Sequence, residues 1–171
     1  VVDVLARFGN AHLSELMKAV AAAQAMTTRQ ADLILAIARS RPSARGAVAQ
    51  ELAALWPTAR DFAVRYRLIS ALGFLDAAGH LSVLRSAATD DDPMLRLQAV
   101  RQLRDLPAPA AAAIGPLLQH AIDDADPRIR AEAGAIIGRW PHDRTWGDRL
   151  AQRLNSERWN FVAATLAQAI G

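Results

Sequence analysis

Four histidines and two acidic clusters are where chemistry could begin. His12 lies three residues before Glu15, and His120 lies three before Asp123 and four before Asp124. On a helix either spacing puts two potential metal ligands on one face. A zinc site takes three or four ligands, commonly more His or Cys. Neither neighbourhood supplies them, and the chain has no cysteine. Asp90-Asp91-Asp92 and Asp123-Asp124-Ala125-Asp126 invite calcium. An EF-hand loop needs alternating ligands, a central Gly and a distant Glu, and neither cluster has that pattern. Acids are favoured at helix N-termini by the macrodipole, so turn and cap roles are expected here. There is no G-x-S-x-G elbow and no Gly-rich phosphate loop. The expectation is a non-enzyme with no catalytic, cofactor-binding or metal-binding residues and no cofactor.

The elements that carry these residues are helical. Hydrophobic residues make up 52% of the 171 and aromatic residues only 5%. A core built from Ala, Leu, Ile and Val favours helices over strands. Basic residues number 20 and acidic 17, for a net charge of +3. The balance is +4 over residues 1–86 and −1 over 87–171, and Lys18 is the sole lysine. This gradient disfavours nucleic acid as a partner, because such binding calls for a concentrated basic stripe. No apolar run approaches the ~20 residues of a membrane span. The chain opens VVDVLARFG, without Met and already in helical pattern, and reads as a piece of a longer protein. With no targeting segment in view, the cytoplasm is the default expectation.

Two stretches share a grammar. DDDPMLRLQAVRQLRDL starts at Asp90 and DDADPRIRAEAGAIIGRW at Asp123, and Pro93 and Pro127 stand 34 residues apart. HLSEL at His12 returns as HLSVL at His80, twice that interval later. Ile129, Ala133, Ile136, Ile137 and Trp140 form an i, i+4, i+7, i+8, i+11 stripe, one face of a helix. The same template gives Val64, Leu68, Ala71, Leu72 and Leu75. It gives Leu95, Ala99, Leu103 and Leu106 with Gln102 as a polar miss. It gives Trp159, Ala163, Leu166, Ala167 and Ile170 at the end, and a weaker Leu33, Ala36, Ile37 at the front. Further helices are expected at about 11–22, 43–55, 78–88, 109–121 and 145–154. Asp92-Pro93 and Asp126-Pro127 read as N-caps with Pro at the first helical position. The unit is a helical hairpin of roughly 30–35 residues, present about five times. One hairpin cannot bury its apolar face alone, so copies must stack. The expectation is an all-α, right-handed α-solenoid occupying 1–171 as a single domain, with the best-formed repeats at 60–140. Trp140 and Trp159 fall on core stripes, and Trp56 and Trp146 read as plugs between layers.

Asp124-Ala125-Asp126-Pro127-Arg128-Ile129-Arg130-Ala131-Glu132-Ala133 resembles the HEAT repeat, in the short form of bilin-lyase-like proteins. The resemblance implies an Asp in the inter-helix turn, six residues before an Arg, the two forming a ladder from repeat to repeat. Asp90 with Arg96 and Asp124 with Arg130 match it. Arg65 fits, but Ala59 stands six before it. In the last copy Asn160 stands for the Arg and Leu154 for the Asp; in the front copy Gln30 and Gln24 do. The tetratricopeptide signature of Trp, Gly, Tyr and Pro is missing, though its length is shared.

Positions two and six after the first stripe residue point away from the stripe. The resemblance places them on a concave face. They read Ala31, Tyr66, Leu97, Ala131, Phe161 and Leu35, Ser70, Arg101, Ala135, Thr165. Aromatic, aliphatic and Arg side chains are the composition of a protein-binding groove. The expected partner site is therefore Tyr66, Ser70, Leu97, Arg101, Arg104 and Phe161, taking a protein partner or another domain of the same polypeptide. Two alternatives carry less. One is a nucleic-acid-binding module like the HEAT-like alkylpurine DNA glycosylases, drawing charge from Arg65, Arg67, Arg96, Arg101, Arg104 and Arg130. The other is an accessory module like the bilin lyases.

Overall fold

The computed structural model describes residues 45–76, 80–104, 106, 111–139 and 144–171. The expected front copy, with Gln24, Gln30, Ala31, Leu33, Leu35, Ala36 and Ile37, lies outside the described residues, as do His12 and Trp140. The described residues are helical, without strands, and the fold class is all-α, of helical hairpins stacked in the α-solenoid manner. The helices are α1 (Arg45–Leu55), α2 (Phe62–Asp76), α3 (Leu81–Ala88), α4 (Pro93–Gln102), α5 (Ala111–Ala121), α6 (Pro127–Ile137), α7 (Arg144–Ser156) and α8 (Asn160–Ile170). The chain forms two compact units, Val1–Val83 and Leu84–Gly171, with the boundary inside α3.

In the first unit α1 packs on α2. Val48, Ala49 and Leu52 of α1 and Val64, Leu68, Ile69, Ala71, Leu72 and Leu75 of α2 are buried. The whole expected α2 stripe is therefore core, each large aliphatic side chain contributing roughly 1.5–3 kcal/mol. Asp61 starts α2, its Oδ1 accepting from the Val64 N–H at 3.0 Å. Trp56, buried after the end of α1, lies flat under the Arg65 guanidinium, 4.3 Å from ring centroid to Cζ.

In the second unit the hairpin-second helices α4, α6 and α8 lie in a row, α6 touching both neighbours. Helix α5 lies against α4 and α6, and α7 against α8. Asp92 and Asp126 cap α4 and α6 as expected, each with extended backbone, a Pro following, and a side chain accepting from the N–H of Met94 or Arg128. The α6–α8 approach is unusually close. A Cβ on Gly138 would sit 2.7 Å from the Ala169 Cα, and one on Gly134 2.9 Å from the Leu166 Cδ2. Gly138 is needed for that proximity rather than for its backbone, since its φ of −65° is ordinary helix and the atom in the way is main chain, whereas at Gly134 the end of the Leu166 side chain can give way.

The last stripe has a different register from the one expected. The expected stripe put the first helical position at Glu157; it is Asn160, three residues later, that is equivalent to Pro93 and Pro127. Val162, Leu166 and Ala169 are the buried set, while Trp159 is 54% exposed and Ile170 40%. Trp159 is thus the cap position of α8 rather than core, and its ring meets Phe161 edge-on at 6.2 Å.

Candidate protein-interaction surface

The turns before α4, α6 and α8 are built alike. Asp90 Oδ1 accepts from the Asp92 N–H at 3.0 Å, and Asp124 Oδ1 from the Asp126 N–H at 2.8 Å. Each acid thus fixes the residue that caps the next helix. Arg96 Nη1 donates back to the carbonyls of Asp90 and Asp91 at 2.9 and 3.0 Å. Its Nε and Nη2 reach forward to both oxygens of Asp124 at 2.8 and 3.0 Å. Arg130 repeats the arrangement: Nη1 donates to the carbonyls of Asp124 and Ala125 at 2.7 and 3.0 Å, and Nε and Nη2 reach forward. Two parallel N–H donors on one carboxylate make these fork contacts the strong kind.

The forward partner of Arg130 is Glu157, at 2.8 and 2.7 Å. This acid was not expected from the sequence, which put Leu154 in its place. Glu157 stands three residues before Asn160, as Asp90 stands before Pro93 and Asp124 before Pro127. Its Oε1 also accepts from the N–H groups of Arg158 and Trp159 at 2.9 and 3.1 Å, and Arg153 Nη2 adds a contact at 3.1 Å. Its side chain is fully buried. The Arg130 guanidinium, then the two backbone N–H groups, hold the Glu157 carboxyl at about 2 against the opposing effect of burial. The fork with Asp124 raises Arg96 above its ordinary value, and that with Glu157 raises Arg130. Asp126 is lowered, chiefly by its exposed neighbour Arg128. The ladder therefore runs Arg96 to Asp124 and Arg130 to Glu157, and Ala163 occupies the next arginine position.

A second crossing lies at the other end of the same helices. Arg104 donates from Nε to Glu132 Oε1 at 2.9 Å and from Nη2 to the same oxygen. Arg101 Nε stands 3.7 Å from Glu132 Oε2. The arginine side chains are 48% and 46% exposed, while Glu132 is buried.

Of the six residues expected on the interaction face, Arg101 and Arg104 are exposed as required. Tyr66 is half-buried, its ring 6.0 Å from that of exposed Phe62. The half-buried Ser70 hydroxyl donates to the Tyr66 carbonyl at 2.9 Å. Leu97 is only 2% exposed and is not part of an open face. Four consecutive residues, Leu97 to Val100, are buried, so the middle of α4 is enclosed on every side, and the helix opens to solvent at its C-terminal end, at Arg101. Phe161 is 48% exposed, but it is equivalent to Met94 and Arg128 at the second helical position. Ala164 and Gln168 occupy the positions assigned to Phe161 and Thr165.

Of the residues considered as metal ligands, His12 and Glu15 lie outside the described residues. His120 is exposed, and Asp123 is paired with Arg149. Among the described residues no three His, Asp or Glu come together as metal ligands. Trp146, half-buried, lines an open groove with Gln119, Thr145, Asp148, Arg149 and Gln152.

The family model of HEAT repeats matches residues 49–114, from within α1 to within α5. Residues 49–114 are thus similar to HEAT repeats. Such repeats are generally protein-interaction scaffolds and typically non-catalytic. The HEAT match covers the Asp90–Arg96 turn, and the turns at Asp124 and Glu157 continue its grammar beyond the matched residues. No curated protein and no solved structure matches the chain. Among the described residues no helix is long and apolar enough to cross a membrane.

Proposed function

We propose that this HEAT-repeat chain is a non-catalytic scaffold that holds a protein partner on the outward face of its hairpin-second helices. One observation carries the reading. The ladder arginines Arg96 and Arg130 are engaged in the turns, whereas Arg101 and Arg104 stand half in solvent and share one carboxylate. The first two hold the fold together, and the second two are placed to meet something else. Ala131 and Ala135 on the neighbouring α6 are small and partly exposed, and they leave room beside the two arginines. In the first unit Phe62 and Tyr66 offer an aromatic pair on α2, the residue class that anchors interfaces. The engagement of Arg96 and Arg130 removes two cations from the set a nucleic-acid groove would use.

Selection from a displayed library of random peptides tests this. The chain is expected to enrich a peptide family, and Ala135→Trp is expected to abolish enrichment while circular dichroism stays helical. Equal enrichment by the variant would remove the α6 face from the reading. Leu97, being buried, is unsuited to such a test.

A further inference from the structure

We infer that the outward face of the second unit takes an acidic peptide segment, a carboxylate of which bridges Arg101 and Arg104. This rests on the reading above that the face docks a partner, and it adds the partner's chemistry. Among the described residues Glu132 is the carboxylate recorded against these two guanidinium groups. It gives one oxygen to both donors of Arg104. Arg101 is left with a contact of 3.7 Å, beyond hydrogen-bond length. An arginine fork matches a carboxylate with two parallel bonds, and among the described residues the Arg101 fork has only the 3.7 Å contact. The C-terminal end of α4 offers Arg101 only the partial negative charge of the helix dipole. Among the described residues, Arg101 and Arg104 are two cations against one buried carboxylate, an excess that attracts an acidic ligand.

The surroundings favour a peptide over a nucleic acid. The floor beside the arginines is Ala131 and Ala135, half-buried and uncharged. The outward positions of α8 are Ala164 and Gln168, also uncharged. A phosphate backbone is tracked by cations spread along its path. Here the cations are gathered at one end and the rest of the face is small and apolar. That pattern fits a segment with acidic residues at one end and an aliphatic or aromatic side chain one or two turns away.

Fluorescence anisotropy with the whole chain tests it. The probes are a labelled Glu/Asp-rich peptide carrying one Leu, the same peptide with Gln/Asn for Glu/Asp, and a single-stranded deoxyoligonucleotide of equal charge. The acidic peptide is expected to bind at least about tenfold more tightly than its amide counterpart. Arg101→Gln, which gives up only the 3.7 Å contact and so keeps the fold, is expected to erase most of that ratio. Arg128→Gln, whose cation is taken up by Asp126, is expected to leave it unchanged. Equal binding of acidic and amide peptides overturns the inference, and so does an oligonucleotide bound as tightly as the acidic peptide. A peptide library that enriches only neutral sequences also overturns it, while leaving the scaffold reading in place.

Discussion

Replacing Arg130 by Met tests the ladder as the device that joins one repeat to the next. Arg130 is nearly buried and Glu157 wholly so. Removing one partner of a buried pair costs about 3–5 kcal/mol, because the other charge is left without compensation. Glu157 keeps Arg153 at 3.1 Å and two backbone N–H groups, which reduces that figure. The carbonyls of Asp124 and Ala125 lose their donor, at about 1 kcal/mol each. The expected loss is about 3 kcal/mol. Glu157→Gln retains an acceptor for the turn and is expected to cost less. The double variant is expected to cost about 1.5–2 kcal/mol less than the sum of the two, because the pair has only one interaction to lose. Urea unfolding followed by far-ultraviolet circular dichroism gives all four stabilities. Arg128→Met, at an exposed pair, serves as the control and is expected to leave stability unchanged. A coupling below about 0.5 kcal/mol would mean that the fork does not join the repeats.

The glycines separate close approach from helix propensity. Gly138→Ala is expected to lose about 1–3 kcal/mol by overpacking against the Ala169 backbone, whereas Gly147→Ala, with nothing within 4 Å of its added Cβ, is expected to gain about 0.5–1 kcal/mol; thermal melts of the two read the contrast. Acid should also weaken the second unit. Glu157 titrates at about 2 when folded and near 4.5 when unfolded, so the unfolded chain takes up its proton first. The stabilisation is complete above pH 4.5 and is lost as pH falls toward 2, with Asp126 acting in the same direction. Full shielding would make the Glu157 contribution about 3 kcal/mol, and screening by solvent at the turn brings it to about 1–2 kcal/mol. The urea midpoint measured across that range should fall in the parent chain and stay flatter in Glu157→Gln.

The parts of the fold that were legible in the sequence are those marked by backbone chemistry. Pro93 and Pro127 fix the first helical residue outright, so the stripes from Leu95 and Ile129 and the turns at Asp90 and Asp124 could be placed to the residue. Arg96 and Arg130 followed from the same register. Nothing of that kind precedes α8. Asn160 is an ordinary first residue, Trp159 caps without a side-chain hydrogen bond, and the copy is one residue shorter than the 34 between the prolines. An apolar template with no such anchor settled on Trp159, because an exposed indole and a buried one look alike as letters. The error carried Phe161 into a face it does not share, and it hid Glu157, whose longer side chain performs the job of an Asp.

The interaction face was harder to read for a physical reason. Core positions announce themselves by periodicity and turn positions by Pro and Asp, but an open face is defined by what neither of them uses. It can be read only after the register is right, and a shift of three residues turns Ala164 into Phe161. Burial also depends on neighbours that the local pattern does not contain. Leu97 and Tyr66 hold the same position in successive copies, yet one is enclosed and the other half in solvent. Glu132 shows the same limit from the other side. It lies one residue after Ala131 on α6, and only the packing of α4 against α6 brings it to Arg104 and leaves Arg101 short of a full partner. The cation available to a ligand is therefore a product of stacking, set by how two repeats divide one carboxylate between two arginines.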